Sequence, residues 1–393
     1  MPVHVSEVRD TGRVPGSAPG VVTPRRVGVE EELLLGDAVT GDLRPAGPQI
    51  ISACELPVGA VPGALIKREF FLSQLEIATL PHVDIADIRR EMVEARARIA
   101  DAGSSLGVAP MAVPGPILAS PTSPFDAISP DARYADIERH YGDVARQSLM
   151  CALHVHVEVA DDEEGVAAID RVRPWIPVLI AIGANSPYWR GGDTGYDSWR
   201  SRVWNMWPTS GPAELFGNAE GYHTVVQDMV DRGAALDAGL VNLDVRLSSR
   251  YPTVEFRVAD VCTDLDDAVL IAALARALVS HCADQWRSGA PSAAWRVDEL
   301  RAAAWRAARF GLTSSLVSPV TRQLIDAVDV LQQLVALLAD PLEQTGDLAR
   351  VTAGVAALGV RGNGASRQRA VFDTHGDIAA VLADIRTRTT THA

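Results

Sequence analysis

Three short stretches pair chemically useful residues at a spacing of two: Glu30 and Glu32 in VGVEEELLL, His154 and His156 in LHVHV, and Glu255 and Arg257 in TVEFRV. On a β-strand this spacing sends both side chains of a pair to one face, while the apolar residues between them go to the other. Acids and imidazoles gathered on one half-buried face are costly unless cations compensate their charge. Oxygen-rich ligation with one or two imidazoles suits Mg2+ or Mn2+ better than zinc, and ATP is the natural co-ligand of such ions. The Arg257 guanidinium adds a planar fork suited to phosphate or carboxylate. Each pair alone also fits a blander reading, since EEE could be a solvated charge run and H-x-H a pair of core histidines or the ligands of a zinc hydrolase. Three such strands in one chain favour the shared site.

Glu76, and with less support Glu69, are further candidates. The segment 67–79 reads as one apolar strand ended by Leu80-Pro81. On a regular strand a separation of seven sends two side chains to opposite faces, so both reach one site only if a bulge or bend intervenes. Glu76 sits in the better-defined apolar run. Glu69 follows Lys67-Arg68 and could be a solvated strand end.

The elements that position these residues follow from periodicity. Segments 26–36, 149–160 and 253–258 alternate as strands. From Asp84 the period changes: Ile85, Ile88, Met92 and Ile99 mark one face of a helix that should cover the sheet. The proline-rich segment 106–124 reads as a short strand and a loop. Helices are predicted over 134–146, 172–182, 265–286, 297–310, 320–338 and 348–358. The Gly- and Trp-rich stretch 184–212 is too long for a simple connector and reads as a functional loop. Neither a G-x-x-x-x-G-K-[ST] loop nor a dinucleotide fingerprint is present.

Composition narrows the class. The chain of 393 residues has 36 basic and 50 acidic side chains, a net charge of -14, which disfavours nucleic acid and anionic membrane surfaces as partners. No apolar run approaches the roughly 18–20 residues of a membrane helix. Four scattered cysteines contain no C-x-x-C pair and fit a reducing cytoplasm. Residues 1–24 are expected to be a mobile tail without the apolar core of a signal peptide. Residues 25–393 are expected to form a single catalytic domain, and homo-oligomerisation is left open.

GVEEEL, SQLEIAT, LHVHV, ANSPYWRGGDTGYDSWR and TVEFRVADV occur in this order, followed by WRAARFGL and GASRQR. Together they resemble the YbdK-type carboxylate-amine ligases, the glutamate-cysteine ligase type 2 family. The resemblance implies an α+β fold with a curved, mainly antiparallel half-barrel sheet of glutamine-synthetase-like type and covering helices. It implies that Glu30, His154 and Glu255 hold one magnesium ion, and that Glu32, Glu76 and Glu69 hold another. Arg257 would contact the transferred phosphoryl group, with Arg200 and Arg246 as anchors for phosphate or substrate carboxylate. The implied reaction is ATP-dependent activation of a carboxylate, by default the γ-carboxylate of glutamate, and its coupling to an amine such as cysteine. The alternatives are the same chemistry on another amino acid and amine, or a His-based metal hydrolase. The sequence departs from the family pattern at Ala302–Ala304, where an acidic-amide pair is common.

Overall fold

A computed structural model describes residues 24–55, 63–119 and 127–391. The predicted tail therefore lies outside the described residues except for Pro24. Eleven strands are described: β1 (Val27–Asp37), β2 (Leu65–Arg68), β3 (Gln74–Ala78), β4 (Val108–Met111), β5 (Ala152–Glu158), β6 (Tyr188–Trp189), β7 (Gly192–Asp193), β8 (Val245–Leu247), β9 (Thr253–Asp260), β10 (Ser315–Val317) and β11 (Leu324–Asp326). Seven of them form one antiparallel sheet in the order β2-β3-β1-β5-β9-β8, with β4 also paired to β1. The sheet is open, with β2 and β8 at its edges; β6-β7 and β10-β11 are separate hairpins.

The helices begin with α1 (Gly47–Ala53), α2 (Ile85–Ser104), α3 (Ala132–Tyr141), α4 (Asp143–Arg146), α5 (Asp162–Val172), α6 (Ile176–Gly183), α7 (Arg200–Trp204) and α8 (Ala219–Asp231). They continue with α9 (Leu265–Arg287), α10 (Val297–Phe310), α11 (Ala327–Leu337), α12 (Ala339–Thr345), α13 (Leu348–Arg361), α14 (Gly364–His375) and α15 (Ile378–Thr390). α2 starts where Asp84 accepts from the Ala86 N–H, an N-cap that the change of period foreshadows. The predicted helix 134–146 is split at Gly142, whose φ of 57° breaks the helical run between α3 and α4. The predicted 320–338 helix begins only at Ala327, because Asp326 caps it and the residues before Asp326 pair as β11.

One face of the sheet is core. Val27, Val29, Leu33, Leu35, Val155, Val157, Val254 and Phe256 are all buried, and they continue into helices α5, α6 and α9 or into α1, α2 and α15. The segment predicted as a single strand over 67–79 is instead a hairpin. β2 runs to Arg68, the chain turns through Glu69–Ser73, and β3 returns with Lys67 opposite Glu76. The bend that Glu69 and Glu76 require is this reversal, with no bulge between them.

Glu31 points to the helix-covered face, as strand parity predicts for the residue between Glu30 and Glu32. It is fully buried and paired with Arg96 of α2: Nε to Oε1 at 2.9 Å and Nη2 to Oε2 at 2.6 Å. Arg96 also donates to the carbonyls of Cys262 and Thr263, which joins β1, α2 and the end of β9. Removing one member of a buried pair strands the other charge. Glu31→Gln is expected to lower unfolding free energy by about 3–5 kcal/mol in urea denaturation, and Glu31→Leu with Arg96→Met to recover most of it. A single variant as stable as the parent would show that the pair is dispensable.

Candidate functional site

Residues directly opposite in an antiparallel ladder leave the same face, so the pairing register lays out the polar face without reference to chemistry. Glu30 is opposite His154, and Glu32 is opposite Glu76. His156 is opposite Glu255, and Glu255 is opposite Arg246 on β8. Lys67, opposite Glu76, carries the face to the β2 edge. Six strands thus contribute a continuous band of charge across a sheet whose other side is apolar.

The tightest group is Glu30, His156 and Glu255, whose ligand atoms lie within 4.8 Å of one another. His156, rather than the expected His154, completes this triad, and the register explains it: His156 is directly opposite Glu255 and diagonal to Glu30. The Nδ1 of His156 is 3.0 Å from the Thr253 hydroxyl, which fixes the ring so that Nε2 stands 3.5 Å from Glu30 Oε2. That Nε2 is buried and has no hydrogen-bond partner, as befits a nitrogen reserved for a ligand. His154 lies above Glu30, with Nδ1 3.6 Å from Oε2, and its Nε2 is likewise buried without a partner. Burial and the nearby Arg257 charge push the His154 imidazole down to about 4, so it is neutral and able to ligate at pH 7. Glu30 is held well below the usual carboxylate range: burial opposes this, but its interactions with His154 and His156 prevail. Glu255 is also held low, because Arg257 and Arg246 outweigh its burial.

Glu32, Glu69 and Glu76 form the second acidic group. Burial raises the Glu32 carboxyl to about 7, although Oε2 accepts from the Ala152 N–H at 2.8 Å and from Gln74 Nε2 at 3.3 Å. Glu76 is raised by burial and by the Glu30 charge, with Lys67 2.8 Å away opposing the shift. Glu69 is raised well above its ordinary value by burial and by the charges of Glu32 and Glu76. Such a cluster repels itself, and a bound cation relieves it directly.

The arginines divide into supports and contacts. Arg246 is fully engaged: Nε and Nη2 hold Glu255 at 2.8 and 3.2 Å, and Nη1 bonds the carbonyls of Gly239 and Val241 at 2.8 Å each. Its geometry is that of a clamp on Glu255, not of an open phosphate anchor. Arg257 also bonds Glu255, lies 5.7 Å from the Trp204 ring centre, and keeps a buried Nε without an acceptor. Arg200, at the start of α7, is 1% exposed, so it too is built into the frame. It donates from Nη2 to the Arg257 carbonyl at 3.0 Å and from Nη1 to that of Val258 at 3.4 Å, and only its Nε lacks a partner.

These carbonyls belong to a bulge in β9. Val155 pairs with Phe256 but Leu153 with Ala259, so two residues of β9 oppose His154 alone. The extra residue reverses parity and brings Asp260, opposite Ala152, to the polar face beyond Arg257. Asp260 accepts from Asn185 N, Ser186 Oγ and Ser198 Oγ at 2.9, 2.7 and 2.9 Å, with Arg200 3.9 Å away. The long 184–212 stretch therefore braces the site. Alternation alone could not find Asp260, because the bulge hides its parity. Gln74 and Lys67 were within reach of the parity argument once the hairpin is known. β8, three residues long, is too short to announce itself.

Residues 26–384 match Glutamate-cysteine ligase family 2. A Streptomyces coelicolor protein named "Putative glutamate--cysteine ligase 2" is 46% identical over 365 residues, covering 93% of this chain and 99% of the relative. A Streptomyces avermitilis protein, "Putative glutamate--cysteine ligase 2-1", is 44% identical over 362 residues, covering 92% and 98%. In fold the chain is similar to the crystal structure of glutamate-cysteine ligase from Francisella tularensis in complex with AMP, with TM-score 0.66, 12% identity, and 94% of this chain and 89% of that one covered. It is also similar to a bifunctional glutathione synthetase from Pasteurella multocida, with TM-score 0.63, 14% identity, and 93% and 51% covered. The open antiparallel sheet, its six-strand polar face and a match to nearly the whole chain agree: this protein belongs to Glutamate-cysteine ligase family 2, the carboxylate-amine ligases.

Proposed function

We propose that the protein is an ATP-dependent ligase that activates an amino-acid carboxylate as an acyl phosphate and couples it to an amine, with the γ-carboxylate of glutamate and the amine of cysteine as the first substrates to test. The observation that carries this reading is the single face that combines the Glu30, His156 and Glu255 triad, a second acidic cluster and the Arg257 fork. The AMP held by the Francisella ligase of similar fold supports a nucleotide substrate.

Glu30, His156 and Glu255, with His154 beside them, would hold one Mg2+ or Mn2+; Glu32, Glu69 and Glu76 would hold another. The donor chemistry fits, since the carboxylates need compensation and two buried imidazole nitrogens make no hydrogen bond among the described residues. When bound, the ions neutralise charge on the phosphate oxygens. The protein contributes position and fixed charge. Arg257 meets the transferred phosphoryl group, Arg200 holds the backbone that presents Arg257, and Arg246 keeps Glu255 ionised and in place. The acceptor carboxylate attacks the γ-phosphorus with loss of ADP; the amine nitrogen then attacks the acyl carbon and phosphate leaves.

With Mg2+ present, phosphate release from ATP is expected only when an acid and an amine are both supplied, measured across amino-acid pairs. Release from ATP alone, at the same rate, would favour a hydrolase.

Thr253→Val removes the hydroxyl that orients His156 and is expected to weaken Mn2+ binding about 10–100-fold, read by electron paramagnetic resonance of free Mn2+. Glu30→Gln is expected to abolish that binding and turnover together. Unchanged Mn2+ affinity in both variants would remove the triad from the metal site.

A further inference from the structure

Of the 36 lysine and arginine residues in the sequence, only Lys67 is a lysine. It stands at the polar face, on β2, the edge strand that pairs with β3. The ladder sets Lys67 opposite Glu76, and its Nζ donates to Glu76 Oε1 at 2.8 Å. The same Nζ is 4.0 Å from Glu30 Oε1. Glu30 is thereby divided between two kinds of partner: Oε2 faces His154 and His156 at 3.6 and 3.5 Å, and Oε1 faces the ammonium. One cation of the protein itself therefore stands between an acid of the first cluster and an acid of the second.

An ammonium at this place has a physical reason. A guanidinium presents a planar fork that suits one carboxylate at a time, as Arg96 does with Glu31 and Arg246 with Glu255. An ammonium is a compact point charge with three rotatable donors, so it can serve two carboxylates that arrive from different strands. In charge and compactness it is the side chain nearest to a metal ion. Its hold is light. The Lys67 side chain is 40% exposed, against 22% for Glu30 and 17% for Glu76, and a lysine–carboxylate pair open to water contributes about 1 kcal/mol or less. A divalent cation attracts the same oxygens with twice the charge. The flexible four-carbon stem lets the ammonium withdraw into solvent without moving the sheet.

We infer that Lys67 is a positioning residue, the resident counter-ion of the metal-free face: it holds Glu30 and Glu76 in place and is displaced when a divalent cation takes their oxygens. The inference rests on the metal site proposed above. Lys67 then steadies the empty site and weakens metal binding at once, which a residue with a merely structural role would not do.

Because the sequence has one lysine, incorporation of lysine labelled with 13C at Cε gives a single resonance from the unaltered protein. Titration with Mg2+ at fixed pH and ionic strength is expected to move that resonance saturably, while Na+ leaves it in place. Lys67→Met is expected to bind Mn2+ about tenfold more tightly than the parent at pH 8, read by electron paramagnetic resonance of free Mn2+. The same variant should melt at a lower temperature in EDTA and gain more from added Mg2+. Lys67→Arg restores the charge and should return Mn2+ affinity to the parent's level or below. Mn2+ binding by the parent with an unmoved lysine resonance overturns the inference alone, as does Mn2+ binding by Lys67→Met no tighter than the parent's. A parent that binds no Mn2+ overturns the metal site and the inference with it. The lysine resonance requires no variant, so it decides the matter even if Lys67→Met fails to fold.

Discussion

The constraint on which the rest depends is the crowding of carboxylates on one side of a sheet whose other side is dry. Glu30, Glu32, Glu69, Glu76 and Glu255 lie within a few strands of one another, and like charges removed from water raise one another's energy. The protein answers differently at each position. Glu255 is held by two arginines, Glu76 by Lys67, and Glu32 by a backbone N–H and an amide. Glu69 receives no side-chain partner among the described residues, and burial with the charges of Glu32 and Glu76 raises it well above its ordinary value. Compensation is thus uneven along the face, with Glu255 held by two guanidinium groups and Glu69 by no side chain among the described residues.

That unevenness gives the surrounding architecture its purpose. Arg246 can clamp Glu255 only because the carbonyls of Gly239 and Val241 hold its remaining donors. Arg257 reaches the face by the same parity as Glu255, and Arg200 holds the bulge beside it by binding the carbonyls of Arg257 and Val258. Arg200 is in turn set by Ser186 and Asp260. Asn185 is held by Gln368 of α14, and Asp197 by Arg369, so the C-terminal helices reach the catalytic sheet through the 184–200 segment. At Gly364 an added Cβ would lie 2.1 Å from Asn185 Oδ1, so the approach requires glycine. The family motifs far from the sheet, GASRQR and WRAARFGL, thus act through packing.

Much of the polar face was legible because alternation is a local signal. Glu30, Glu32, His154, His156, Glu255 and Arg257 sit on strands long enough to show period two, and Glu31 was correctly sent to the opposite face. What was hidden has non-local causes. The β2-β3 reversal lies inside a continuous apolar run, so nothing in the segment 67–79 marks the turn. The bulge is a property of the β5-β9 pairing, invisible in β9 alone. His156 outranks His154 only once register is known, because a pair two apart on one strand is symmetric until its neighbours are placed. Glu31 reads as neutral to structure until Arg96, sixty-five residues on, is placed beneath it.

Specificity follows a different logic from catalysis here. The charged groups of the face stand on strands, where the ladder fixes their backbone positions. The groups that border the face come from connections: Tyr134 of α3 packs on Phe70 beside Glu69, and Trp204 of α7 covers Arg257. A rigid sheet with variable borders can keep one ligation chemistry while changing the acid and amine it accepts. Membership of the family therefore constrains the reaction more tightly than the substrates. Trp204 and Tyr134 stand on short helices at the borders of the face, whereas the glutamates beneath them are fixed in the sheet.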